Sequence, residues 1–195
     1  LIEDTYGINM RPLSIFALDT YRETPPSRLL PKELDYNKYG ESDKIVLAKI
    51  QKAIAVIQFK IEGQMIKAHP EYNMNDRLLL DKIDYKKETV KIEGKEYKLN
   101  DVSFPTIDKN DPYKLTEKEV ELMERLRESF MESTKLNEQI KFLYTKGHTY
   151  KIFNSNLLIH ACIPIEADGS YTKITLDGRT CEGKEYLDYL DTKIR

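Results

Sequence analysis

Residues Lys49–Met65, KIQKAIAVIQFKIEGQM, decide how the first part of the chain folds. Ile50, Ala53, Ile54, Ile57 and Ile61 recur at steps of three and four, the spacing that gathers side chains on one face of an α-helix. The central block AIAVI, Ala53–Ile57, is apolar around most of the helix, so neighbours must cover more than one face. Ser42 is the expected N-cap. Towards the N-terminus, residues 1–23 read as helical in part. Ile8, Leu13, Phe16, Ala17 and Leu18 are available to a core there, and Gly7 and Pro12 interrupt the run. Between the two helical regions, TPPSRLLPKELDYNKYGES, Thr24–Ser42, is rich in proline and polar residues and reads as a long loop.

From Lys82 onward the period changes to two. ETVKIEGKEYKL, Glu88–Leu99, alternates around Gly94 and predicts a β-hairpin. A linker rich in proline and aspartate then leads to LTEKEV, where Thr116 and Glu119 have capping-box spacing and Leu115 can staple onto Val120. The following helix is expected to carry Val120, Met123, Leu126, Phe130, Ile140 and Tyr144 on one stripe and to end at Gly147. TYKIF and NLLIHACI are two strands joined by Asn154 and Ser155, and YTKITLDGRTCEG is a further hairpin about Asp177 and Gly178. Lys184–Arg195 is helical, with Tyr186, Leu187 and Leu190 inward. The reading is α+β: long helices and a small hairpin over the first two thirds, then strands. Its organisation is a mainly helical region over residues 1–147 and a strand-rich part over 148–195 that ends in a helix.

Bulk properties remove several function classes. Lys and Arg number 31 against 33 Asp and Glu, which creates no large field of one sign to draw nucleic acid or an anionic membrane. No apolar stretch approaches the roughly 20 residues a membrane-spanning helix needs. The N-terminus lacks the basic and apolar regions of a signal peptide. Two cysteines, Cys162 and Cys181, without CxxC spacing give neither a disulfide framework nor a structural zinc site. A cytoplasmic setting is expected. The chain starts at Leu1 without methionine and reads as helix up to Arg195, so a piece of a longer protein is expected.

His69, His148 and His160 lie far apart, with no HExxH or HxH spacing. GxSxG, GxxxxGK[ST] and GxGxxG are all missing, so no nucleophile elbow or phosphate-cradling loop is visible. His160, inside the apolar run SNLLIHACIPI, is the best single candidate. Its ring points opposite to its neighbours on the strand and stands just before Pro164, where it can face a cleft. The plain alternative is a partly buried histidine bonded to backbone, and residue type leaves both open. Glu3, Asp4 and Asp19 read as solvated helix carboxylates, and the lysines around Lys86 read as protection of an exposed hairpin. Arg11, Lys146 and Lys151 could meet a phosphate, but nothing in their spacing selects them. The 13 tyrosines are scattered, without a basic stripe, and read as packing rings.

Four longer segments carry a resemblance: IEDTYGINMRPL, KIQKAIAVIQFKIEGQMIKAHPEYNMNDRLLLDKIDY, GKEYKLNDVSFPTI and KGHTYKIFNSNLLIHACIP. In content and order they resemble the middle of the class III fructose-1,6-bisphosphatases of Firmicutes, calcineurin-like metallophosphatases. The resemblance implies strands belonging to a two-sheet sandwich in the parent enzyme, with two divalent ions, manganese being the expected metal, at strand ends. It also implies fructose 1,6-bisphosphate as substrate, with neither nucleic acid nor membrane as partner. A homo-oligomer is compatible with it. That family draws ligands from D-x-H, G-D-x-x-D-R-G and G-N-H-D motifs, a later strand histidine and a G-H-x-P-like motif. Only the strand histidine has a match here, and it makes His160 a metal ligand by resemblance. Ala161 stands where glycine is expected. No catalytic or sugar-binding residue is identified. The isolated chain is expected to be inactive, because one ligand does not hold two cations. The competing reading is a non-enzymatic α+β interaction or regulatory module.

Overall fold

A computed structural model describes residues 2–25, 29–31, 40–160 and 162–195. Most of the predicted loop Thr24–Ser42, and Ala161, lie outside the described residues. Helices and small sheets are mixed, as an α+β reading requires, and the chain forms two units, Leu1–Met131 and Glu132–Arg195.

The first unit begins with α1 (Ile2–Tyr6) and α2 (Arg11–Thr20), interrupted at Gly7 as its residue type predicts, with Pro12 tolerated in the first turn of α2. Ile8, Leu13, Phe16 and Ala17 are buried, whereas Leu18 is 41% exposed because it turns about 100° away from Ala17. α3 (Glu41–Ala68) starts from Gly40, not from Ser42. The Asp43 carboxylate accepts the Gly40 N–H at 2.8 Å, and Ser42 lies inside the first turn.

The AIAVI block does face two ways. Ala53 and Ile57 join Leu13, Phe16, Ala17, Tyr21, Leu122 and Leu126 in one cluster, and Phe16 meets Tyr21 edge to face at 6.3 Å. Val56 lines a groove of about 530 Å³ with Phe59, Leu80, Val90 and Phe104. Ile61, expected inside, is exposed. Gly63 lies directly under Tyr113: a Cβ there would stand 2.0 Å from the ring, so a side chain is excluded without displacing it. The Tyr113 hydroxyl donates to Asp81 at 3.1 Å and accepts the Leu80 N–H at 3.2 Å, tying α3 to the turn before the sheet. Burial drives its pKa up to about 12.

Strands β1 (Ile83–Asp84), β2 (Thr89–Ile92) and β3 (Lys95–Lys98) form an antiparallel sheet in that order. Ile92 pairs with Lys95 across Glu93 and Gly94, which both have positive φ, as a tight two-residue turn demands. α4 (Glu117–Glu132) starts with the predicted capping box: Thr116 N–H to Glu119 at 2.8 Å and Glu119 N–H to Thr116 Oγ1 at 3.3 Å. Its buried face carries Glu119, Leu122 and Leu126, and Val120 and Phe130 are exposed. The helix predicted to continue to Gly147 breaks at Ser133, whose extended backbone and Oγ cap α5 (Thr134–Lys146). Serine competes for backbone donors, which favours a cap over a helix interior.

In the second unit α5 is followed by β4 (Tyr150–Phe153) and β5 (Asn156–Ile159), then β6 (Ile174–Leu176), β7 (Arg179–Cys181) and α6 (Gly183–Ile194). Each hairpin turns over two residues of positive φ, Asn154–Ser155 and Asp177–Gly178. On α6, Leu187 is buried and Tyr186 and Leu190 half-buried.

Candidate functional site

β5 ends at Ile159, one residue before His160, and the exposed ring leaves the sheet at a bend. The turn at Asn154–Ser155 fixes the register as Phe153↔Asn156, Ile152↔Leu157, Lys151↔Leu158 and Tyr150↔Ile159. Carried one step further, the same register sets Thr149 opposite His160. The start of β4 and the end of β5 therefore share one end of the hairpin.

At that end a single carboxylate gathers four contacts from three residues. Asp191, in the last turns of α6, accepts the Thr149 backbone N–H at 2.7 Å and the Thr149 hydroxyl at 3.1 Å, both on Oδ1. On Oδ2 it meets His148 Nδ1 at 3.2 Å and Arg195 Nη1 at 3.5 Å. Its side chain is 17% exposed. The Thr149 N–H foremost, with His148 and the Thr149 hydroxyl, brings the Asp191 carboxyl from its ordinary 3.8 down to about 2. Arg195 Nε also donates to the Tyr144 carbonyl at 3.3 Å, so the end of α6 holds the end of α5 as well. One turn earlier Asp188 bonds the Tyr150 hydroxyl and Lys184, and both hold its carboxyl below the usual range. His148, Tyr150, Lys151, Asp188, Asp191 and Thr192 line an open cleft of about 490 Å³.

The other sequence candidates are dispersed. His69 stacks on Tyr72 at 4.8 Å and meets Glu71 at 2.8 Å on the surface of the first unit. Glu3 and Asp4 sit exposed in the first turn of α1, and Asp19 pairs with Arg22 and Lys118. The Lys86 backbone closes a turn on Asp84. Arg11 is exposed at the start of α2, and Lys146 ends α5. Lys151 alone among the phosphate candidates lines the cleft beside His148. Nothing in the sequence marks Asp188 and Asp191 beyond their spacing to Lys184 and Arg195, four residues in each case, because acids on a helix read as a solvated face.

Among the described residues no three His, Cys, Asp or Glu side chains converge on one point where a metal ion could sit. His160 has the chemistry for one ligand, an exposed imidazole at a strand end.

A family model described as Firmicute fructose-1,6-bisphosphatase matches residues 1–195. The class 3 fructose-1,6-bisphosphatase of Clostridium novyi is 48% identical over 194 residues, covering 100% of this chain and 29% of that protein. Those of Clostridium acetobutylicum, at 48%, and Clostridium botulinum, at 49%, show the same coverage. The chain thus spans 29% of the length of these curated relatives. No solved structure matches it.

Proposed function

The chain belongs to the Firmicute fructose-1,6-bisphosphatase family, and from that membership we propose that the full-length protein carrying it is a metal-dependent sugar bisphosphatase. It hydrolyses the 1-phosphate of fructose 1,6-bisphosphate to fructose 6-phosphate and phosphate, a step of gluconeogenesis in the cytoplasm. The observation that carries this reading is a match running over the whole chain, with near-half identity to relatives of that name. The interaction-module reading would need the metal-ligand motifs to be missing from the rest of the protein.

In this proposal strands β4 and β5 belong to the two-sheet sandwich of the parent, and His160 is one ligand of a two-manganese centre. Two bound cations supply positive charge that polarises a phosphoryl group and acidifies water. His160 would hold a cation through a ring nitrogen lone pair. Its position past the last ladder pair gives the ring access from solvent. The remaining ligands come from chain outside these 195 residues, so the isolated chain has no activity.

The test uses the full-length protein and residues 1–195 side by side. Manganese-dependent phosphate release is expected from the first only. His160→Ala in the full-length protein should lower turnover at least a hundredfold with an unchanged melting temperature. Full activity of His160→Ala sinks the ligand assignment, and repurified activity of the short chain that disappears with the same substitution sinks the claim that the isolated chain is inactive.

A further inference from the structure

We propose that the groove between α3 and the antiparallel sheet of the first unit is a binding site for a small neutral amphipathic molecule, one with an apolar chain or ring and a carbonyl or ester oxygen at one end. The site lies wholly within the first unit, and the inference does not depend on His160 or on a metal ion. The groove encloses about 530 Å³, within the range of small-molecule sites, and apolar side chains line most of it.

The sequence builds both walls. On α3, Lys52, Val56 and Phe59 recur at steps of four and three and form one stripe. Ala53 and Ile57 lie about 100° further around the helix than Lys52 and Val56, and they fill the core instead. The opposite wall is one face of the sheet. Ile83 pairs with Val90, and the Leu99 N–H donates at 2.7 Å to the carbonyl of Glu88, two residues before Val90. Strand alternation therefore sets Ile83, Val90 and Leu99 on the same face. Val56 and Val90 are buried, and Phe59, 43% exposed, marks the opening. Protein interiors are close-packed, so two apolar walls standing this far apart leave room that the described residues do not fill.

The polar end of the groove selects the head group. Lys52 and Asp101 form an ion pair there, with the Lys52 side chain only 8% exposed. Both Asp101 oxygens are engaged, Oδ2 by Lys52 and Oδ1 by the Ser103 N–H at 2.7 Å. An ammonium has three donors. One goes to Asp101, and Phe104 presents its ring 5.0 Å from the nitrogen, a weak acceptor for a second. The third has no acceptor among the described residues, and a buried donor left unpaired is costly. A ligand oxygen that reaches Lys52 removes that cost. Lys52 and Asp101 are the charged side chains among the described residues lining the groove, and they neutralise each other. A carboxylate or phosphate head would stand beside Asp101 with no second cation to offset it, and an ammonium head would meet Lys52. A neutral oxygen acceptor avoids both penalties.

The experiment titrates the full-length protein with N-phenylnaphthylamine, a neutral dye that fluoresces in apolar surroundings. The dye is then displaced with methyl octanoate, octanoate or octylammonium, which share a chain and differ in head group. Methyl octanoate should displace it at a concentration roughly tenfold lower than either ion. Ala55 also lines the groove, and Ala55→Phe, which puts a ring into it from α3, should abolish the displaceable signal with an unchanged melting temperature. Lys52→Met/Asp101→Asn, which removes the donor without leaving a lone charge, should bind methyl octanoate about tenfold more weakly. Should Ala55→Phe fail to fold, Phe59→Asp decides, because it places a carboxylate at the opening on a half-exposed position and should weaken binding of the ester. The proposal is overturned if the wild type holds no displaceable dye, if octanoate competes as well as its ester, or if the groove variants or the double variant bind as wild type. A crystal structure of the full-length protein in which other protein residues fill the groove, from this chain or from a second copy, overturns it as well.

Discussion

Lys60 and Glu119 are each 0% exposed, and their side chains meet at 2.7 Å in the middle of the first unit. Two charges in such a place are tolerated because each has other partners. Lys60 Nζ also donates to the Thr106 carbonyl at 2.6 Å, and Glu119 Oε2 also accepts the Thr116 N–H. Glu119 Oε1 is buried with no partner among the described atoms, so this network is finely balanced. Removing one member leaves the other charge uncompensated, at a cost of about 3–5 kcal/mol. Lys60→Met should therefore destabilise the unit by about that amount, whereas Lys60→Met/Glu119→Gln should lose less than the single variant. Urea unfolding of the wild type, Lys60→Met, Glu119→Gln and the double variant measures it, and additive losses would refute the coupling. Half of this arrangement is legible in the sequence. The T-x-x-E spacing of Thr116 and Glu119 announces the cap, because a cap is a contact within four residues. Lys60 lies 59 positions away, and on a helix otherwise read by its isoleucines nothing local marks it as buried.

At the level of elements, the hairpins were legible and their neighbours were not. Glu93–Gly94, Asn154–Ser155 and Asp177–Gly178 each contain Gly, Asn or Asp, the types that tolerate positive φ, within flanking two-residue periodicity, and all three close tight turns. β1 is only two residues long, too short to show a period, and it forms solely because β2 offers an edge. The break at Ser133 was hidden because apolar residues continue on both sides of it, and a capping serine does not interrupt that pattern. The β4 to α6 connection is likewise a tertiary feature, and it has a pH signature. Asp191 titrates lower in the folded chain than the ordinary carboxylate, about 2 against 3.8. A depressed carboxyl contributes stability above its unfolded pKa and loses it as pH falls through the folded one. The tie between Thr149 and α6 should be intact at neutral pH, weaken below about pH 4 and be gone near pH 2. The protection of the Thr149 amide against exchange, relative to an unstructured amide at the same pH, should fall across that interval, and Asp191→Asn should flatten the dependence. An unchanged profile in Asp191→Asn would assign the acid sensitivity to other carboxylates.

On the scale of the molecule the two units differ in how much they enclose. The first buries a cluster of eight core residues with further apolar side chains packed against it. Burying a single Leu, Ile or Phe contributes about 1.5–3 kcal/mol, so such a cluster offsets a large part of the ordering entropy. Among the described apolar side chains of the second unit only Cys181 and Leu187 are buried. Phe142, Leu143, Ile152, Phe153 and Leu158 are exposed, on α5 and on both strands of the β4–β5 hairpin. Two buried side chains do not hold a segment of that size, since small domains already bury too little surface to spare any. The curated relatives extend over more than three times the length matched here. Expressed alone, residues 1–131 should unfold cooperatively in urea, and residues 132–195 should show no cooperative transition and should bind a hydrophobic dye. Within the full-length protein, Phe153→Cys should resist labelling by a thiol reagent at every protein concentration. Labelling that appears on dilution would instead assign the cover of this hairpin to a second copy, and a cooperative transition for residues 132–195 alone would show that the unit needs no cover at all.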